Sequence, residues 1–291
     1  MADVSGFLNI NKPLHMTSHD VVAKIRRGLK LKKVGHAGTL DPLATGVLVI
    51  CIGNGTRFSE YVMNSTKRYR ARVRLGVTTE TYDAEGAVLQ TRDASHIQRS
   101  DVEFQLGNFL GDIQQVPPMY SAIKQGGRKL YDLARAGETV EREARAVHID
   151  SLDIIEWSPS EFALDVVCSA GTYIRSLAYD LGEALGVGAH LSGLSRVGSG
   201  LFRLDDAVEL DTLLESSDTW QQYLVSPQTA LSDWPVVRLT ADETEHILHG
   251  RSIEIDLTAS GLALGCTGDG RLVAILRADS GSWRPHKVFS D

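Results

Sequence analysis

Cysteine is scarce in this sequence. Its three residues, Cys51, Cys168 and Cys266, are scattered, with neither zinc-ligand nor redox spacing. That excludes a disulfide-stapled fold and suits a reducing compartment. No apolar run approaches the roughly 20 residues that span a bilayer. The opening stretch MADVSGFLNINKP lacks a basic start followed by an apolar segment, so no signal peptide is read there. Both absences lead to the expectation of a cytoplasmic protein without a membrane span. Positive charge is also in short supply: 30 Lys and Arg stand against 37 Asp and Glu, a net of −7. Taken as an average, that balance argues against a polyanionic partner. Internal repeats and low-complexity tracts are absent.

What is present reverses the impression given by the average. Residues 1–75 hold 13 basic against 4 acidic side chains, and residues 76–291 hold 17 against 33. A local field decides which partner approaches, so a basic N-terminal third is either a solvated surface or a nucleic-acid footprint. A hydrophobic content of 43% over 291 residues is ample for a large domain plus a small one.

Several elements are legible. Ser18 reads as an N-cap, followed by the helical stripe Val21, Val22, Ile25, Leu29. Gly35–Gly46 is turn-rich and runs into the buried-strand pattern VLVICI. Tyr69, Ala71, Val73 and Leu75 alternate with Arg68, Arg70, Arg72 and Arg74, placing four arginines on one strand face, either solvated or along phosphates. A helix capped by Ser100 is expected over 100–110. A glycine-punctuated insertion follows at about 115–145, with a short helix around Lys129–Ala136. Phe162–Cys168 reads as a strand and Tyr173–Leu185 as a helix with Arg175 in its first turn. Gly186–Gly200 reads as turns, Asp211–Leu224 as a helix, and SPQTALSDWP as a linker. Beyond it, 235–291 reads as a small β domain with one helix, Ala241–Leu248.

The stretch richest in chemistry is GHAGTLDPLATG, residues 35–46. It sets three glycines, His36 and Asp41 in a tight loop, and Pro42 biases Asp41 to extended backbone. A lone Asp-Pro in a loop is ordinarily only a turn. GHAGTLDPLATGVL, however, resembles the signature loop of the bacterial tRNA pseudouridine synthase B family, TruB. Four more segments resemble that family in the same order: NINKPLHMTSHDVV, KRYRARVRLGVTTETYDAEG, PPMYSAIKQGGRKLYDLARAG and CSAGTYIRSLAYDLGEALGVGAHLSGLSR. Thr39 and Leu40 differ in a neutral part of the loop, and Ser195 stands where a basic residue is more usual.

The resemblance implies an α/β (α+β) pseudouridine synthase fold with a mixed, largely antiparallel sheet. A catalytic domain would cover 1–230 and carry the insertion as an RNA-gripping thumb. A PUA-like β domain would cover 235–291. The implied reaction isomerises uridine-55 in the T-loop of tRNA, with no cofactor, no metal and no obligate protein partner, by a stand-alone monomer. Carried over by position, Asp41 is the catalytic carboxylate, Arg175 its partner, and Tyr69 packs on the base. Tyr173 and Leu194 line the pocket, and His36 fills space left by flipped bases. Taken singly, Tyr69 and Leu194 read as core residues, His36 as a loop hydrogen-bonder and Arg175 as a helix-surface ion-pair former.

The chemistry suits these residue types. Breaking an N-glycosidic bond and rejoining carbon to the sugar needs a nucleophile or a stabiliser of positive charge, which a carboxylate supplies. A guanidinium beside a carboxylate keeps it ionised in a pocket that disfavours charge. Two other readings stay open on the sequence: an RNA-guided relative acting within a ribonucleoprotein, and a tRNA-folding chaperone.

Overall fold

The computed structural model describes residues 4–138, 140–254 and 260–289. Residues 1–3, part of the stretch read for a leader, lie outside them. The chain divides into two compact units, Met1–Val225 and Ser226–Asp291.

The first unit is built on a ten-stranded sheet. Its early elements are β1 (Gly6–Lys12), α1 (Ser18–Gly28), β2 (Val34–His36), β3 (Ala44–Ile52), α2 (Ser59–Met63) and β4 (Lys67–Leu75). A two-stranded ribbon, β5 (Val77–Thr79) and β6 (Val88–Thr91), leads to α3 (Arg99–Leu106) and β7 (Gly111–Gln115). The insertion holds the hairpin β8 (Lys124–Gln125) and β9 (Arg128–Lys129), then α4 (Leu130–Arg135). Next come β10 (Arg145–Ser158), β11 (Glu161–Cys168), α5 (Ile174–Ala184) and β12 (Ala189–Ser199). The unit closes with β13 (Phe202–Arg203), β14 (Val208–Glu209) and α6 (Leu210–Glu215). The strand order is β14-β1-β3-β12-β4-β11-β10-β7, with β2 on β3 and β13 on β12. Among the described residues only β1 with β14 and β3 with β12 pair in parallel within it, so the sheet is mixed and largely antiparallel, as expected.

The alternation of β4 is realised: every odd position from Lys67 to Leu75 is buried and every arginine between them exposed. One core joins Tyr69, Ala71, Val73 and Leu75 to the expected stripe of α1 and to Ile174, Leu177, Ala178 and Leu181 of α5. Helices α1 and α5 therefore cover the Tyr69 face, and the arginines occupy the opposite one.

Four local expectations need correction. The N-cap of α1 is Thr17, which forms a capping box with Asp20. Likewise α3 is capped by Gln98 with Asp101, not by Ser100. Residues 189–199 form the strand β12 in the middle of the sheet; its glycines mark register shifts, between Leu191 and Gly193 and between Arg196 and Gly198. A glycine at a bulge reads as a turn in sequence while serving a strand. The helix read over 211–224 is broken at Ser216–Thr219, leaving α6 and a 3-10 turn at Trp220–Tyr223.

The second unit begins with one helical turn, α7 (Pro227–Ala230), inside the segment read as a linker. It holds β15 (Val236–Leu239), α8 (Ala241–Leu248), β16 (Ile253–Glu254), β17 (Leu262–Thr267), β18 (Leu272–Asp279) and β19 (Ser282–Val288). The five strands order as β15-β17-β18-β19-β16, and Ile247 of α8 packs with Leu239, Val273 and Trp283. The expected helix is met residue for residue, because Thr240 and Glu243 close a capping box at its start.

Candidate functional site

Asp41 lies on the turn between β2 and β3. Its carbonyl accepts the Ala44 N–H (3.0 Å), and the carbonyl of Pro42 accepts the N–H of His15 (2.9 Å). Two buried side chains tie this loop to the N-terminal segment. Ser18, freed from capping, donates its hydroxyl to the Leu40 carbonyl (3.1 Å) and accepts the Leu40 N–H (2.8 Å). Lys12 donates from Nζ to the carbonyls of Pro13, Met16 and Pro42. Burial pushes the Lys12 ammonium down to about 8, against the opposing pull of Asp41 and Glu85. At the exit of the loop Gly46 has φ +95°, and a Cβ there would sit 2.3 Å from the Arg196 carbonyl oxygen, so only glycine fits.

Arg175 reaches Asp41 from the first turn of α5. Its Nε is 3.0 Å from Asp41 Oδ2. The N–H is not aligned on the carboxylate, so the contact is an ion pair rather than a directed hydrogen bond. The rest of the guanidinium is held by protein: Nη1 donates to the Thr81 carbonyl (3.2 Å) and Nη2 to the Tyr120 carbonyl (2.9 Å). Nη1 also lies 3.4 Å from Oδ2 of Asp83, a buried carboxylate. Asp83 accepts the Thr81 hydroxyl and the Glu85 N–H through Oδ1. Asp83 was not singled out from sequence, although its segment TYDAEG was. A carboxylate between aromatic and small residues in a turn carries no periodic signal.

The start of α5 has no side-chain cap of its own. Gln115, at the root of the insertion, brackets the backbone of the N-cap residue instead: its Oε1 accepts the Tyr173 N–H (2.7 Å) and its Nε2 donates to the Tyr173 carbonyl (3.0 Å). Ser176 adds a bond to the Val116 carbonyl (2.9 Å). Insertion root and Arg175 thus share one bonded frame.

Tyr69 and Tyr173 both feel the Asp41 charge, and burial pushes both phenols up. Leu194 is half-buried on β12, in register with Ala44 at the loop exit and with Ala71 of β4. The structure thus gathers Asp41, Arg175, Tyr69, Tyr173 and Leu194 around one loop. His36 stands at the entry to that loop. Its ring meets His19 edge-to-face, with centroids 5.2 Å apart. Burial, then the neighbouring His19 and Arg196, push it down to about 4, and its Nδ1 is buried without a partner. Among the described residues no group of three or more His, Cys, Asp or Glu could hold a metal ion. No helix among them is long and apolar enough to cross a membrane.

The model of the TruB family pseudouridylate synthase N-terminal domain matches residues 26–174. The chain belongs to the TruB family. The tRNA pseudouridylate synthase B C-terminal domain model matches residues 175–234, and the tRNA pseudouridine synthase II C-terminal model matches residues 234–290. A TruB relative named tRNA pseudouridine synthase B, from Symbiobacterium thermophilum, is 49% identical over 86% of this chain and 83% of its own. Another of that name, from Burkholderia pseudomallei, is 42% identical over 98% of this chain and 97% of its own. Among solved structures, a chain from a crystal structure of a Cbf5-Nop10-Gar1 complex superposes with a TM-score of 0.77 at 26% identity, covering 98% of this chain and 85% of that one.

Proposed function

We propose that this TruB protein isomerises uridine-55 in the T-loop of tRNA to pseudouridine, acting in the cytoplasm as a monomer on free tRNA. The observation that carries the reading is the Asp41–Arg175 pair: an accessible carboxylate against a cation held in place by protein carbonyls and Asp83. Relatives of the chain named tRNA pseudouridine synthase B supply the substrate class.

The target base leaves its stack, at a cost of about a few kcal/mol, because a carboxylate fixed in a protein loop cannot reach a base inside the stacked RNA loop. Asp41 acts at C1′ as nucleophile or as a stabiliser of positive charge while the N1–C1′ bond breaks. Uracil turns and C5 joins C1′, displacing the Asp41 carboxylate where it had bonded there; the C5 proton leaves and N1 takes a proton, so atoms and charge balance. Arg175 keeps Asp41 ionised and oriented. Tyr69 packs on the base and orients the proton transfer, while Tyr173 and Leu194 line the pocket. His36, neutral at physiological pH, fills space vacated by flipped bases. The insertion grips the RNA, and the C-terminal unit is a PUA-like RNA-binding module.

The test is direct. Purified protein is incubated with an unmodified tRNA transcript and pseudouridine is mapped. Formation at position 55 without added factors supports the reading. No product on naked tRNA, with activity only in the presence of guide RNA and accessory proteins, overturns it.

A further inference from the structure

Arg196 has no part in the chemistry above, yet it is the largest fully buried side chain of the described residues, 1% exposed. No carboxylate pairs with it among them. Its donors go to main-chain carbonyls on both arms of the Asp41 loop. Nη2 donates to Gly38 (3.1 Å) and Nη1 to Thr39 (3.4 Å) before the aspartate; Nε donates to Val47 (2.7 Å) after it. On β12 it is in register with Tyr69, so the two side chains rise from paired positions, and the Tyr69 phenol feels the Arg196 charge. A guanidinium buried without a counter-charge is costly, and a volume-matched apolar side chain is ordinarily at least as stable. A purely structural role therefore explains it poorly. Its location does better: one rigid, five-donor group touches both the loop that presents Asp41 and the phenol across from it.

We infer that Arg196 is a positioning residue for the isomerisation, fixing the two arms of the Asp41 loop and the Tyr69 hydroxyl to one another so that carboxylate and phenol keep a single spacing while the base turns. The inference rests on the proposed function. A guanidinium only donates, so it offers Tyr69 an N–H toward oxygen and leaves the phenolic O–H for the cleft. Leu194, two residues earlier on the same strand, is carried by the same anchor.

The test uses the full-length protein with Arg196→Lys, Arg196→Met, Tyr69→Phe and the Tyr69→Phe/Arg196→Lys double variant. Single-turnover rate at saturating tRNA, tRNA affinity and thermal melting are measured for each. Arg196→Met is expected to lose about 100-fold in single-turnover rate, the cost of a misplacement near 1 Å, with affinity unchanged. Arg196→Lys recovers part of that loss. The Tyr69 and Arg196 effects are non-additive in the double variant. Without RNA, His36 titrates at a higher pH in Arg196→Met, because a buried cation near it is gone. Wild-type rates in both Arg196 variants, a loss confined to affinity, or additive effects with Tyr69→Phe overturn the inference. Should Arg196→Met not fold, Arg196→Lys and the double variant still decide. A wild-type protein that makes no pseudouridine in tRNA counts against the proposed function instead; the His36 titration then tests the loop anchor by itself.

Discussion

Arg175 is 5% exposed and Asp41, whose Oδ2 lies 3.0 Å from its Nε, is 37% exposed. The cation of this pair is fixed and the anion is open. Two carbonyls and Asp83 immobilise the guanidinium, so the carboxylate is the member left to meet a substrate. Asp41→Asn keeps the size and removes the charge. The expected outcome is a loss of turnover of at least about 10³-fold, the upper range for deleting one stabilising group, with tRNA binding retained. Multiple turnovers by a clean Asn variant, free of wild-type contamination, would show that Asp41 is not the catalytic group.

The second prediction separates the two carboxylates that share Arg175. Arg175→Lys keeps a charge but loses the planar fork that bridges Asp41, Asp83 and two carbonyls. Its rate falls far more than its affinity. Asp83→Asn leaves Asp41 intact but weakens a buried, charge-assisted network, and costs about 2 kcal/mol of stability. Its single-turnover rate also drops, because the cation is no longer anchored. Urea unfolding beside single-turnover kinetics checks both; a variant at Asp83 with full rate and full stability would remove it from the site.

His36 gives a pH-dependent prediction with a definite sign. Its folded value, about 4, lies below the ordinary 6.5 because burial and neighbouring cations disfavour the imidazolium. Between those two values the unfolded chain binds more protons than the folded one, so stability rises with pH there. The His36 contribution is fully present above pH 6.5 and is lost as pH falls toward 4. Melting temperatures at pH 7 and pH 4.5 are compared for the wild type and His36→Gln. The expected result is a smaller acid-induced drop in the variant; an equal drop in both would mean that His36 is not the titrating group.

Sequence alone revealed those parts of the molecule whose signal is periodic or capped. The β4 alternation, the α1 stripe and the 241–248 helix were legible because their periodicity agrees with the tertiary environment. Strand β12 was not, since its bulge glycines Gly193 and Gly198 imitate turns, and nothing local says that β4 lies beside them. The pairs Asp41–Arg175 and Ser18–Leu40 bring together distant positions, and only a family resemblance pointed to the first. Asp83 and Arg196 act through buried networks with main-chain partners, for which side-chain identity in the sequence carries no pattern.

The last prediction concerns electrostatics, where the structure divides what the charge count joined. The basic N-terminal third includes Lys30, Lys32, Lys33 and the β4 arginines. The lysines are exposed just beyond α1, a helix that packs on the Tyr69 face. The arginines project from the other face of the sheet, and two of them are already engaged: Arg68 with Asp165 and Arg72 with Glu156. On the proposed function, a phosphate backbone delivering its base to Asp41 runs along the Tyr69 face. Deleting a charge that truly neutralises a phosphate should lower the slope of log affinity against log salt by slightly less than about one unit. Lys32→Ala with Lys33→Ala should therefore weaken tRNA binding and flatten that slope by more than about one unit. Arg70→Ala with Arg72→Ala should leave the slope nearly unchanged, since it removes one paired and one remote charge. Neutralising Arg284, which pairs with Asp279, together with Lys287, should also do less than the lysine pair. Binding titrations of the three double variants across a salt series distinguish these outcomes. A larger slope change in the arginine pair would place the RNA on the opposite face of the sheet and overturn this prediction.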